Sequence, residues 1–258
     1  FSIKKKELSI AFANLTVVLI SVTRTQLVAL AAQMFACFVI YPRIIQNPRI
    51  IKNILLIITI ASSIIAIDVF SGIGLTSRWT DRLLIENKFG TDPTALTRTA
   101  ENNYMRQEII ASWQKFIFGN GLAAETSLIG PEAVLAGQLV GTASVATHSY
   151  GFGHNNYLSL LFIGGLAVGA PILIILLLNG CSSLLLSRAL IQDNKTDATV
   201  LYACVWGSLI IVGLLTTSFL SGIFEERTTS LWYGIGTGMF YWASSETKNL
   251  KKSNIDKH

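Results

Sequence analysis

Asn155–Asn179 reads Asn-Asn-Tyr-Leu-Ser-Leu-Leu-Phe-Ile-Gly-Gly-Leu-Ala-Val-Gly-Ala-Pro-Ile-Leu-Ile-Ile-Leu-Leu-Leu-Asn, with no charged side chain. About 20 apolar residues in a helix cross the hydrocarbon core of a bilayer, so this stretch is long enough. Backbone polar groups cannot be left unpaired in lipid, which restricts spanning segments to helices and closed barrels. The run is read as a membrane-spanning helix. Outward from it lie five more apolar runs, at 8–23, 25–41, 53–69, 199–219 and 230–245, the first and third of marginal length.

Composition agrees. Hydrophobic residues make up 51% of the chain and charged residues only 14%, against about 25% charged in a soluble domain. The mean hydropathy of +0.53 has the same sense. The expected fold is all-α, a polytopic transmembrane bundle of about six helices. Residues 1–69 would hold three spans with a basic cytoplasmic turn, 70–154 a large extracytoplasmic loop, 155–245 three more spans, and 246–258 a cytoplasmic tail. Phe1 stands where a start Met would be, and Lys4, Lys5 and Lys6 precede an apolar run without a cleavage site and soluble domain after it. A beginning inside a longer chain, with further helices upstream, is expected.

A net charge of +5 would suggest nucleic acid as the partner of a soluble protein; in this chain it marks orientation instead. With the N-terminus inside, twelve of the 20 basic residues fall in short inside segments, among them Arg43, Arg49, Lys52, Arg188 and Lys195. That matches the excess of Lys and Arg on cytoplasmic loops. Arg24, the 70–154 loop, Glu225-Glu226-Arg227 and His154 then share the outer face. The bilayer is the expected partner and nucleic acid is not.

Three places on that face carry polar chemistry. Arg24, in Ser21-Val-Thr-Arg-Thr-Gln-Leu-Val28, has an apolar run on each side. It is either a turn residue snorkelling to headgroups or an anion ligand, since guanidinium grips phosphate bidentately and stays charged. Residues 70–100 read as irregular. Residues 100–118 carry apolar side chains at 105, 109, 110, 113, 116 and 117, the spacing of an amphipathic helix at an interface. Arg106 lies in its first turns, and Gly119-Asn-Gly121 stops it. A mildly apolar, loop-like stretch, 121–153, leads to His148-Ser-Tyr-Gly-Phe-Gly-His154, after which Asn155 can cap the next helix. An imidazole at His154 is either a polar anchor or a base, with His148 as competitor; His258, in the tail, has no evident use.

Other chemistries lack their signatures. His148 and His154 have no metal-ligand spacing, and no Walker loop or dinucleotide glycine pattern is present. Gly119-Asn-Gly121 lacks the strand such a loop follows. No cofactor and no metal are expected. Cys37, Cys181 and Cys204 lie in or beside apolar runs and read as small core residues, not a disulfide or metal set.

The order of these elements is informative. Thr23-Arg24-Thr-Gln-Leu27 comes first, then Arg106 with Trp113 and Phe118-Gly-Asn-Gly121, then His154-Asn155 with Gly165 nine residues further into the span. This order, over residues 10–245, resembles the C-terminal half of the O-antigen ligase-like family. Lipid A-core:O-antigen ligases, Wzy-type polymerases and bacterial protein O-oligosaccharyltransferases belong to it. The pattern departs at Thr25, where a small residue is usual, and at Ile110, where an aromatic is usual. Arg98 therefore competes with Arg106.

The resemblance implies metal-independent transfer of a glycan from undecaprenyl pyrophosphate to a hydroxyl of lipid A-core, another glycan or a protein. The site would face outward from the bacterial cytoplasmic membrane. It implies His154 as the base, and Arg24 and Arg106 as pyrophosphate ligands. Asn155, Trp113, Gly119 and Gly121 would support them, with Glu108 or Glu125 as unranked helpers. The competing class is a flippase of lipid-linked saccharide, for which internal repeats and interrupted midplane helices are expected; neither is visible in the sequence.

Overall fold

Proline has no N–H to offer a helix, and three helices begin on one where none is needed: Pro48, Pro93 and Pro131. The computed structural model describes residues 24–43, 48–72, 74, 77, 80–81, 92–140, 153–193, 196–220 and 227–255. Among them every regular element is helical. In chain order these are α1 (Arg24–Ile40), α2 (Pro48–Ser71), α3 (Pro93–Ile110), α4 (Trp113–Phe118), α5 (Pro131–Val140) and α6 (Asn156–Gly164). A π turn (Gly165–Gly169) follows, then α7 (Ala170–Gln192), α8 (Ala198–Thr217) and α9 (Arg227–Ile255). The expected span 8–23, together with His148, Glu225, Glu226 and His258, lies outside the described residues.

The chain divides into two compact units, residues 1–28 with 42–92, and residues 29–41 with 93–258. The first holds α2. Thr59 and Ser63 return their hydroxyls to the carbonyls of Leu55 and Thr59, so neither leaves a polar group unmatched on an apolar helix. Gly72, at φ +67°, ends it.

In the second unit α7, α8 and α9 share a core of Leu190, Val200, Cys204, Ile211, Leu215, Phe240 and Ala243. Small residues set its spacing. A Cβ on Gly207 would stand 2.6 Å from the Gly236 carbonyl oxygen, the close backbone approach by which helices associate in membranes. Polar side chains also meet between these helices: Ser187 with Ser208 at 2.8 Å, and Asn179 Nδ2 donating to Tyr233 and Thr237 at 3.1 Å each. The α1 residue Gln33 donates to the Leu209 carbonyl in the space Gly213 leaves open.

Among the described residues two helices are long and apolar enough to cross a membrane: the 37-residue Asn156–Gln192, made of α6, the π turn and α7, and Ala198–Thr217. Thr25–Ile40 is apolar but shorter. Several boundaries differ from the sequence expectation. The 155–179 run continues as helix to Gln192, and the last helix reaches Ile255, so polar tail residues extend an apolar core segment. Within 70–154, residues 93–100 and 131–140 are helical where irregular chain was expected. The 100–118 helix begins at Pro93 and breaks after Ile110. Ser112 causes the restart: its extended backbone (φ −154°, ψ 159°) and its hydroxyl, which accepts from Lys115 N, make it the cap of α4.

The apolar positions of that segment also separate. Met105 is buried with Phe162 and Ile163, so this part of the apolar face of α3 packs against α6. Ile110, Trp113, Phe116 and Phe118, at the α3–α4 corner, are exposed. Cys204 is a core residue as expected, whereas Cys181 is exposed.

Candidate functional site

Helix α6 starts where the sequence places it. Asn155 has extended backbone and its side chain accepts from Leu158 N, relieving one of the unsatisfied N–H groups of the first turn. Asn156 N donates to the Ser218 carbonyl, which ties this start to the end of α8. Two residues before Asn155 is Gly153, whose N–H donates to Ser159 Oγ; that hydroxyl in turn donates to the Asn155 carbonyl. The short segment carrying His154 is thus held on both sides by its own helix.

Opposite it stands Glu101, on α3, with a relative exposure of 1%. A carboxylate that deep must be hydrogen-bonded to persist. Thr126 Oγ1 donates to Oε1 at 3.3 Å, and the His154 backbone N–H donates to Oε2 at 2.8 Å. The same Oε2 lies 3.0 Å from His154 Nδ1. The approach depends on Gly153, since a Cβ there would come within 2.7 Å of the Glu101 carboxyl carbon. The His154 side chain is 30% exposed, so the ring is held at one edge by a buried acid and still reaches the surface. A carboxylate on Nδ1 sets the tautomer and leaves the lone pair on Nε2, the arrangement of an oriented base.

The Gly119-Asn-Gly121 turn is joined to the other end of α6. Asn120 N donates to the Phe162 carbonyl and Gly121 N to the Ile163 carbonyl, at 2.8 and 3.0 Å. Asn120 Nδ2 adds a third bond to Phe162 O. These carbonyls belong to the turn where the α-helix gives way to the π turn and its own hydrogen-bond ladder is interrupted. Gly119 (φ +74°) and Gly165 (φ +57°) face one another there. A Cβ on Gly119 would overlap the Ile163 carbonyl, and one on Gly165 would stand 2.5 Å from Gly119 N.

His154, Asn155, Gly119 and Gly121 therefore all attach to α6. Trp113, 68% exposed, opens α4 and lies on the apolar corner. Arg106 is exposed on α3, five residues beyond Glu101 and well round the helix from it. Arg98, three residues before Glu101, shares its face, and its Nε is buried. Arg24 is the first residue of α1 and falls in the first unit. Glu108 is engaged with Lys115 across the α3–α4 break, and Glu125 is exposed. The acid that meets His154 is Glu101, which neither composition nor spacing singled out; no short-range signal marks a partner 53 residues away.

Among the described residues no three His, Cys, Asp or Glu side chains gather as a metal-binding group. No family model, curated protein or solved structure matches the chain.

Proposed function

We propose that this chain is part of a membrane-embedded glycosyltransferase of the O-antigen ligase type. It moves a glycan from undecaprenyl pyrophosphate to an acceptor hydroxyl on the outer face of the bacterial cytoplasmic membrane. The observation that carries the reading is the His154–Glu101 pair, set one residue ahead of the cap of a 37-residue apolar helix. An oriented base at that position meets a lipid-borne donor at the membrane surface. His154 Nε2 takes the proton of the acceptor hydroxyl as its oxygen attacks the anomeric carbon. The bond from that carbon to the pyrophosphate oxygen breaks, and polyprenyl pyrophosphate leaves with the electron pair.

Guanidinium groups balance the charge that develops on the leaving group. Within the second unit, the face shared with Glu101 favours Arg98 over Arg106 for this role. The exposed Ile110, Trp113, Phe116 and Phe118 lie against the acyl boundary beside the donor. A Wzy-type polymerase differs from this reading only in its acceptor.

The test is transfer by the full chain in proteoliposomes holding lipid-linked donor, with lipid A-core, a second lipid-linked repeat unit and a protein acceptor offered in turn. His154→Ala is expected to lower turnover by about 10²–10⁴-fold while the protein stays inserted; near wild-type transfer would overturn the assignment. Arg98→Ala should cost more transfer than Arg106→Ala. EDTA should leave activity intact, and a loss restored by a divalent ion would refute the metal-free mechanism.

A further inference from the structure

The geometry points to Glu101 as the positioning residue of His154, a permanently buried carboxylate that fixes the imidazole as its Nδ1–H tautomer. The inference rests on the reading of His154 as a base and deepens it. Both the His154 backbone N–H and its Nδ1 meet one oxygen, Oε2, at 2.8 and 3.0 Å. The backbone N–H donates to Oε2, and an ionised carboxylate has only lone pairs to offer, so the ring nitrogen facing it carries the proton. Thr126 holds the other oxygen and is itself only 2% exposed. The carboxylate is thus anchored independently of the histidine it orients.

Three features mark the arrangement as built for the ring and not as a stray ion pair. Glu101 is buried while its partner reaches the surface, so the pair is not a screened surface contact. Gly153 leaves the space the carboxylate occupies, as a side chain there would displace it. The contact also pins the backbone N–H of the same residue whose side chain it orients, so ring and main chain cannot drift separately. A negative charge at Nδ1 also stabilises the imidazolium that forms when Nε2 takes the acceptor proton.

Substitutions separate the geometric part from the charge. In Glu101→Gln the amide oxygen can take the place of Oε2, accepting from both His154 donors, while the amide nitrogen faces Thr126 Oγ1. The tautomer is retained and the charge is lost. In Glu101→Ala both go. The measurement is long-range ¹H–¹⁵N correlation on the full chain labelled with ¹⁵N-histidine, with His154 assigned by His154→Gln, alongside kcat and KM for transfer.

The wild type and Glu101→Gln should show His154 protonated on Nδ1, and Glu101→Ala a mixture of tautomers. Glu101→Gln should lower kcat by about tenfold, the difference between a charge-assisted and a neutral hydrogen bond, with KM unchanged. An Nε2–H tautomer in the wild type would overturn the proposal without any variant having to fold. So would kcat unaffected in Glu101→Gln. Full transfer by His154→Ala is a separate result: it would remove the base while leaving the spectroscopic outcome to decide the pairing.

Discussion

Gly119→Ala tests how firmly the loop turn is bound to the broken helix. Gly119 has φ +74° and ψ −170°, a region essentially reserved for glycine. The added methyl would be directed at the Ile163 carbonyl, a backbone group that cannot rotate away. Relief requires the turn to lift from α6, which breaks the Asn120 N–Phe162 O and Gly121 N–Ile163 O hydrogen bonds. Backbone strain of about 1–3 kcal/mol and about 1 kcal/mol for each lost bond give a destabilisation of roughly 3–5 kcal/mol. Gly121→Ala is the internal control. Gly121 also has positive φ (+85°), but a Cβ there meets nothing within 4 Å, so only the left-handed strain of about 1–2 kcal/mol applies. Equilibrium unfolding of the full chain in detergent micelles measures both. Equal losses for the two variants, or a Gly119→Ala loss below about 1 kcal/mol, would refute the docking argument, because strain alone would then account for everything.

Gly153→Ala should reproduce much of the Glu101→Ala effect without touching either member of the pair, since the new Cβ would displace the carboxylate from His154. Transfer should fall about tenfold or more, and unchanged turnover would mean that the contact is dispensable. A further outcome concerns acid. Thr199, through its backbone N–H and its side chain, and the Val200 N–H hold the Asp197 carboxyl below its ordinary range at the start of α8. A depressed carboxyl stabilises the fold above its unfolded value, and that contribution is lost as pH falls through the lowered folded value. Asp197→Asn can still accept those hydrogen bonds and should flatten the acid limb of the stability profile; an acid limb identical to wild type would refute the assignment.

The helices were legible where apolar length determines them. The run opening at Asn155 gave its own cap and its own span, and Gly119-Asn-Gly121 marked the end of α4. What the Gly-Asn-Gly turn does was not legible. Its N–H groups are used by carbonyls 42 residues on, and nothing in an apolar run with glycines at 164, 165 and 169 says that its helix changes pitch there. Glu101 was missed for a related reason. In Ala-Glu-Asn-Asn it reads as one polar residue on a solvated helix face. Its burial is a property of α3 packing against α6 through Met105 and Phe162, which no local pattern encodes. The reading of 100–118 as one continuous helix failed at Ser112, whose preference for an N-cap outweighed the continuity of the apolar spacing.

The two junctions on α6 explain why the partner of His154 comes from so far along the chain. Glu101 meets α6 at its beginning, and the Gly119-Asn-Gly121 turn meets it at Phe162 and Ile163, eight and nine residues further on. At 1.5 Å per residue these points are about 12 Å apart. The segment from α3 through α4 is therefore fastened to one rigid helix at two places, and neither end can slide along α6 without breaking hydrogen bonds at the other. A carboxylate on a neighbouring residue of the same loop would move with His154 and fix nothing. One carried by a separately anchored helix holds the ring against the frame of α6. The interrupted helix supplies that anchor because its π turn leaves carbonyls that need partners, and in an apolar setting the Gly-Asn-Gly turn is where they find them.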